Sequence, residues 1–167
     1  MIRPISRDDD AEIRLVAERM RKTLIEVLGP DVGTNMYSMD WLERRVRFHL
    51  DPSACRGEVF VAEDTEGHVV GHCIVRVETD DAGPLGLFST TWVEPEARRG
   101  GVASALLDIG EAFLRAEGLT RFATDTSAAN VALQRLFEGR GFSQTLFVPK
   151  SNMVRLEKSA ACTSEQS

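Results

Sequence analysis

A basic turn with two adjacent glycines lies between a predicted strand and a predicted helix, and it constrains the fold more than any other stretch. Residues 85–93 are rich in β-branched and aromatic side chains, which is typical of a strand, and Pro95 then ends the ladder. Apolar side chains follow at helical spacing, at Val102, Leu106, Ile109 and Phe113. The sequence therefore predicts a strand, a turn and a helix that begins near Gly101 or Val102.

This turn has the properties of an anion-binding site. The first amides of a helix have no intrahelical acceptor, and the helix dipole adds partial positive charge there. Adjacent glycines let a ligand approach the backbone closely, and two arginines add charge. We predict that a phosphate group binds at Arg98, Arg99, Gly100, Gly101, Val102, Ala103 and Ser104. The alternative is an ordinary strand-to-helix turn with solvated arginines.

Two motifs carry a resemblance to a known family. The first is Arg/Gln-x-x-Gly-x-Gly/Ala, which Arg98, Gly101 and Ala103 fill. The second is Asn130-x-x-Leu133-x-x-Leu136-Phe137-x-x-x-Gly141-Phe142. Together they resemble the signatures of the GNAT superfamily of acyl-CoA-dependent N-acyltransferases.

The resemblance implies how acetyl-CoA binds as a co-substrate. In this family the glycine turn holds the pyrophosphate of coenzyme A, and the pantetheine arm pairs with strand backbone, here near Trp92 and Val93. The second motif implies cofactor contacts at Asn130, Leu133 and Phe137. For Asn130 the alternative is a helix N-cap, and one side chain can serve both roles.

Periodicity divides the chain into strands and helices in the order β-α-α-β-β-β-α-β-α-β-β, an α/β (α+β) sandwich. Residues 30–39 are predicted to form a polar loop, and Asp40 to cap the second helix. The resemblance covers nearly all of a single predicted domain, residues 1–158. It implies a mixed, mostly antiparallel, twisted sheet of about seven strands, with helices on both faces and a splayed central strand pair. Residues 159–167 lack periodicity and are predicted to be a flexible tail.

Asp125 is the predicted general base. It ends a predicted strand five positions before Asn130, an offset at which several GNAT members place an acidic residue that binds or deprotonates the amine. The run Thr124-Asp125-x-x-x-x-Asn130 also resembles aminoglycoside 6′-N-acetyltransferases. A lysine-like amine, with a pKa of about 10.4, is almost fully protonated at neutral pH, so a carboxylate would help it react. The alternative role is a cap on the next helix.

Ser89 or Thr90 is a candidate to contact the acceptor or a relay water. Strict alternation of side chains along the strand places Ser89 on one face with Thr91, and Thr90 on the other face with Trp92. The strand carries no carboxylate, which favours Asp125 as the base.

The second motif departs from the family pattern at Phe137, where the family usually has a tyrosine that protonates the leaving sulfur. Phenylalanine has no proton to give. Either the thiolate leaves unassisted or another group supplies the proton. Tyr37, the only tyrosine, lies in a loop that lines the acceptor side in the family and is a candidate; the alternative is a surface aromatic.

Composition excludes several classes of protein. A net charge of −6 disfavours nucleic-acid binding and is compatible with a cationic small substrate. The first apolar run is too short for a signal or a membrane span, and three scattered cysteines are typical of reduced thiols, so we expect a cytoplasmic protein. His68 and His72 are too far apart on a strand to share an ion, so no metal is expected. Exposed strands suggest a homodimer.

We therefore predict an N-acetyltransferase that moves the acetyl group of acetyl-CoA to a primary amine of a small cationic acceptor, such as an aminoglycoside or polyamine, by direct attack in a ternary complex. One alternative is acetylation of a protein or peptide amino terminus, whose α-amine, with a pKa near 8, needs less help from a base. Another is a catalytically weak acyl-CoA-binding sensor.

Overall fold

The computed structural model describes residues 1–159. The helices and strands alternate much as the sequence predicts. The strands are β1 (Ile2–Pro4), β2 (Gly57–Glu63), β3 (Val69–Asp80), β4 (Gly83–Val93), β5 (Arg121–Ser127), β6 (Ser143–Val148) and β7 (Met153–Ser159). The helices are α1 (Asp10–Leu28), α2 (Pro30–Asn35), α3 (Met39–Leu50), α4 (Val102–Ala116) and α5 (Val131–Glu138), with a short 3-10 helix at Pro95–Ala97.

All seven strands form one sheet in the order β1-β2-β3-β4-β5-β7-β6. Every neighbouring pair is antiparallel except β4 and β5, which are parallel. Although β4 has 11 residues and β5 has 7, only three residues of each strand pair with the other strand: residues 86–88 of β4 lie beside residues 122–124 of β5. Beyond Phe88 the two strands separate, so the predicted mixed sheet with a splayed central pair is confirmed.

The two faces of the sheet carry separate cores. One core packs α4 and α5 on the sheet through residues such as Phe88, Leu107 and Phe137. The other packs α1 and α3 on the opposite face through residues such as Val16 and Ile74. The predicted arrangement of helices on both faces is thus confirmed, and any gap between β4 and β5 connects the two faces.

The structure corrects the prediction of a loop over residues 30–39. This segment contains the short helix α2, which begins at Pro30, because proline favours the first helical position, where no amide hydrogen bond is needed. The cap of α3 is Ser38, whose hydroxyl accepts a hydrogen bond from Trp41 N, and not Asp40. Of the predicted tail at 159–167, Ser159 ends β7 and the other residues lie outside the described part of the chain.

Candidate functional site

The turn after β4 presents free backbone amides at the start of α4. Gly101 caps the helix with φ of 81°, a left-handed conformation that glycine adopts without strain, and Arg99 has φ of 72°. The first amide of the helix with an acceptor is that of Ala105, which donates to Gly101 O at 3.0 Å. The amides of residues 99–104 donate to no described residue. A run of unpaired amides beside a helix dipole is a concave site for an anion.

Arg98 is not a free cation in this turn. Its Nε donates to Val93 O at 2.9 Å, and its two terminal nitrogens bind the Glu26 carboxylate at 2.6 and 2.9 Å. The ion pair raises the pKa of Arg98 and lowers that of Glu26. Arg98 therefore ties the turn to β4 and α1. The charge that the sequence assigned to Arg98 is offset by Glu26, whereas Arg99 is exposed and has no ion pair with a described residue.

A cleft of about 470 Å³ opens next to the turn, where β4 and β5 separate. It is bounded by α1, β4, the start of α4 and the start of α5. Among the predicted cofactor contacts, the cleft brings together Trp92, Val93, Arg98, Ala103, Asn130 and Leu133. It continues from the free amides to the α1 side of the sheet.

The edge of β4 presents backbone groups to this gap. Glu94 N donates to Val70 O of β3 at 2.7 Å. Along a strand, the backbone groups of alternate residues point to opposite sides, so this bond shows which residues of β4 pair with β3. The N–H and C=O groups of Trp92 therefore face β3, and those of Thr91 and Val93 face the gap. An extended ligand in the cleft can pair with these edge groups as a strand would.

Asn130 and Phe137 have different positions relative to the cleft. Asn130 lines it and caps α5, since its Oδ1 accepts from Leu133 N at 3.2 Å, and its side-chain nitrogen has no partner among the described residues. Phe137 is fully buried between Phe88 and Phe142, with ring centroids 5.5 and 4.9 Å away. This position is at odds with the cofactor contact predicted for Phe137, because packing turns the ring into the core.

The structure corrects the predicted orientation of Ser89. A β-bulge leaves this residue without a partner on β3, since Ile74 pairs with Thr90 and Val75 with Phe88. The extra residue shifts the alternation, so Ser89 and Thr90 both point to the α3 face. Ser89 Oγ accepts from Arg76 there at 3.1 Å. Strict alternation had separated Ser89 from Thr90, and nothing in the local sequence marks the bulge.

Asp125 is held by an ion pair. Its two oxygens accept from Arg155 Nε at 2.7 Å and from a terminal nitrogen at 2.8 Å, and the two residues are direct neighbours across β5 and β7. The carboxylate does not line the cleft. A proton on Asp125 would remove the negative charge that holds this guanidinium, which weakens the case for a general base.

Tyr37 is placed outside the cleft. Its ring stacks on Trp41, with centroids 4.0 Å apart, and both rings are partly exposed. The phenol makes no hydrogen bond with a described residue. Tyr37 therefore forms part of an aromatic surface on the α3 side, and a role in protonating the leaving thiolate stays a prediction.

Sequence analysis missed a polar cluster centred on His49 and Arg76. Arg76 Nη1 lies 2.9 Å from His49 Nε2, and since arginine only donates, Nε2 accepts. The proton is then on Nδ1, which donates to Arg45 O at 2.8 Å. Burial lowers the pKa of His49 to about 4, so it is neutral at pH 7. The only sequence signal is a histidine at an apolar helix position.

Acid is expected to destabilise the protein through its buried histidines. Burial lowers the pKa of His49 to about 4 and that of His72 to about 3, from 6.5. The unfolded chain therefore takes up protons first, and stability present above pH 6.5 is lost as the pH falls. At about pH 4.5 each histidine removes about 2–3 kcal/mol from the free energy of unfolding.

Denaturant titrations of the parent and His49→Gln across this pH range would measure the loss. The pH dependence should be weaker in His49→Gln than in the parent. Equal pH dependence in the two proteins would contradict a neutral, buried His49.

The only group of described residues that could share a metal ion lies on the β2–β3 turn, where ligand atoms of Asp64, Glu66 and His68 are within 4.8 Å. All three are exposed, and Asp64 accepts hydrogen bonds from the amides of the other two, as is ordinary in such turns. Within residues 1–159, no helix combines the length and apolar character needed to cross a bilayer.

Comparison with known proteins identifies the class that this fold and cleft define. The sequence matches the Acetyltransferase (GNAT) family over residues 23–142, so the chain belongs to this family, and the resemblance seen in the two motifs is confirmed. The matched region contains the glycine turn, the splayed strands and the whole of the second motif.

The curated relatives are named for different compounds. The chain is 31% identical over 137 residues to a mycothiol acetyltransferase of Propionibacterium freudenreichii, covering 82% of this chain and 41% of the relative. It is 30% identical over 94 residues to an aminoglycoside N(6′)-acetyltransferase type 1 of Stenotrophomonas maltophilia, covering 53% and 61%. A GNAT-family acetyltransferase structure from Staphylococcus aureus has a TM-score of 0.71 at 14% identity, covering 95% and 98%. The chain thus spans less than two thirds of either curated relative.

Proposed function

We propose that this protein transfers the acetyl group of acetyl-CoA to a primary amine by direct attack in a ternary complex. The observation that carries the proposal is the run of unpaired amides at residues 99–104, which opens on the cleft between β4 and β5. Acetyl-CoA supplies an activated acetyl group when bound. The free amides suit its diphosphate, and the cleft suits its extended arm.

The protein contributes mainly by positioning. The backbone groups of Thr91 and the N–H of Val93 would align an extended arm along β4, and the N–H of Val93 would polarise a carbonyl oxygen beside it, whereas Val93 O already accepts from Arg98 Nε. The amine would arrive on the sheet face that carries α1 and α3, because the cleft extends to α1 on that face, where Thr23, Glu26 and Val27 line it. Asn130, with a free side-chain nitrogen at the cleft wall, would hold the arm from the α5 side.

The acceptor is proposed to be a small primary amine. A polycationic acceptor, as the net charge suggested, is a second candidate that the similarity to an aminoglycoside acetyltransferase favours. However, Asp125 is paired with Arg155, so this carboxylate does not stand free to meet an ammonium group. No contact among residues 1–159 favours a sensor without turnover or a protein amino terminus as the acceptor.

A screen that follows thiol release from acetyl-CoA would test the function. Simple amines, aminoglycosides, polyamines and short peptides would be compared at equal concentration, with acetyl-CoA binding measured separately by calorimetry. We expect micromolar to millimolar binding and turnover with at least one small amine. Binding without turnover on any acceptor would indicate the sensor, and no binding would refute the proposal.

Replacing Asp125 by asparagine tests the predicted base. Loss of a general base lowers turnover by about 10²- to 10⁴-fold. Because Arg155 already occupies both oxygens, we expect Asp125→Asn to lower kcat by less than about 10-fold. Arg155→Gln, which frees the carboxylate, is the paired variant. A 100-fold loss in Asp125→Asn alone would restore Asp125 as the base.

A further inference from the structure

One face of α3 carries four side chains at intervals of four residues: Tyr37, just before the helix, then Trp41, Arg45 and His49. Residues at this spacing lie one above the other on a helix surface. The stacked rings of Tyr37 and Trp41 are partly exposed at one end, and His49 is buried at the other. We call these four residues the α3 stripe.

Arg45 is the one member of the α3 stripe with an unmatched charge. Its guanidinium lies over the Phe48 ring, 4.7 Å from the centroid, and has no hydrogen bond or ion pair with a described residue. It is half-buried, and burial followed by the nearby Arg76 lowers its pKa. A guanidinium that is partly desolvated next to a second one gains most from an anion.

Arg76 connects this charge to the reaction site. One of its nitrogens contacts both His49 Nε2 at 2.9 Å and Ser89 Oγ at 3.1 Å. Ser89 is the bulged residue that follows Phe88, where pairing between β4 and β5 ends. Arg45 is one helical turn from His49, whose Nδ1 donates to Arg45 O, so it lies beside this cluster on the sheet face that carries α3, the face from which the amine would arrive.

The surrounding acids do not neutralise Arg45. Among the described residues on this face of the sheet, Glu78, Asp80 and Asp125 each form an ion pair with an arginine of β3, β5 or β7. His49 is neutral at pH 7 and adds no charge. The local excess is thus positive, although the chain as a whole carries a net charge of −6.

We propose that Arg45, supported by Arg76, binds an oxyanion on the acceptor, and that the acceptor is an amine that also carries a carboxylate. This inference depends on the proposed acetyl transfer and specifies its acceptor class. The stacked rings of Tyr37 and Trp41 offer an apolar surface to the rest of such a molecule. A phosphate would satisfy the same guanidinium, so the experiment distinguishes the two oxyanions.

The test compares three matched series: ω-amino carboxylates of increasing chain length, the corresponding carboxamides, and ω-aminoalkyl phosphates. Among the longer compounds, the amine has nearly the same basicity in a carboxylate and in its matched carboxamide. A difference in kcat/KM between the two therefore measures the contribution of the oxyanion. We expect the best carboxylate to exceed its carboxamide by about 10- to 100-fold, mainly through KM. Arg45→Gln should bring this ratio close to one.

Arg44→Gln is the control, because Arg44 is the adjacent, exposed arginine of α3 and pairs with Asp40. It removes the same charge and should keep the carboxylate preference. Calorimetry with the N-acetylated products in the presence of coenzyme A gives a readout that does not depend on turnover. In the parent the acetylated carboxylate should bind at least about 10-fold tighter than its carboxamide, and Arg45→Gln should remove the difference.

The outcomes separate the inference from the proposed function. If the protein transfers the acetyl group but shows no preference for an oxyanion, the inference is overturned and acetyl transfer is left intact. The same holds if the preference remains in Arg45→Gln. A preference for phosphates that depends on Arg45 keeps the oxyanion site and replaces carboxylate by phosphate. Failure to bind acetyl-CoA at all would refute the proposed function instead.

Discussion

Replacing Ala103 by glutamate is expected to weaken acetyl-CoA binding by at least about 100-fold, equivalent to about 3 kcal/mol, while the protein stays as stable as the parent. Ala103 is in the first turn of α4 and lines the cleft. A carboxylate there interacts favourably with the helix dipole, which protects the fold. The same carboxylate would occupy the free amides of residues 99–104 and repel a diphosphate.

Ala105→Glu is the matched control for this experiment. It adds the same charge two residues further along α4, at an exposed position that does not line the cleft. Calorimetric titration with acetyl-CoA should give a Kd within about threefold of the parent, since the added charge is exposed and screened by salt. Equal affinity in Ala103→Glu and the parent would mean that the diphosphate binds elsewhere.

Replacing Phe137 by alanine is expected to lower the free energy of unfolding by about 3–5 kcal/mol. The ring is fully buried, and it packs edge-to-face against both Phe88 and Phe142, so its removal leaves a cavity between α5 and the sheet. For a protein of this size the loss corresponds to a decrease in Tm of roughly 6–20 °C. Calorimetric or spectroscopic melting would measure it.

Leu133→Ala, one turn earlier on the same helix, should affect acetyl-CoA binding more than it affects stability. Leu133 lines the cleft and is only partly buried, so its truncation should cost less stability and weaken acetyl-CoA binding more. If Phe137→Ala instead left the Tm unchanged and reduced acetyl-CoA affinity, the ring would face the ligand and not the core. The pair of variants thus separates packing from binding on one helix.

The predictions from sequence were most accurate where local chemistry decides the structure. The start of α4 at Val102 follows from the glycines and the apolar spacing, and the structure shows the helix cap that was the alternative to the cofactor contact predicted for Asn130. The loop predicted at residues 30–39 is wrong because Pro30 begins the short helix α2, a first helical position that proline favours.

Predictions about individual side chains were less accurate because their partners are distant in sequence. Arg98 is neutralised by Glu26, and Asp125 is bound by Arg155, so neither is the free group that its local context suggested. No local pattern contains these pairings, which depend on how α1 and β7 pack against the site. The bulge at Ser89 is also a property of the β3–β4 ladder, and not of β4 alone.

The strand, glycine turn and helix at residues 85–116, and the membership of the GNAT family, could be predicted from sequence because they depend on local backbone preferences and on motifs that are continuous in the chain. Which charges are free depends instead on how distant elements pack together. An ion pair or a buried ring is created by contacts between elements far apart in sequence, and those contacts left Arg45 unpaired, bound Asp125 and turned Phe137 into the core.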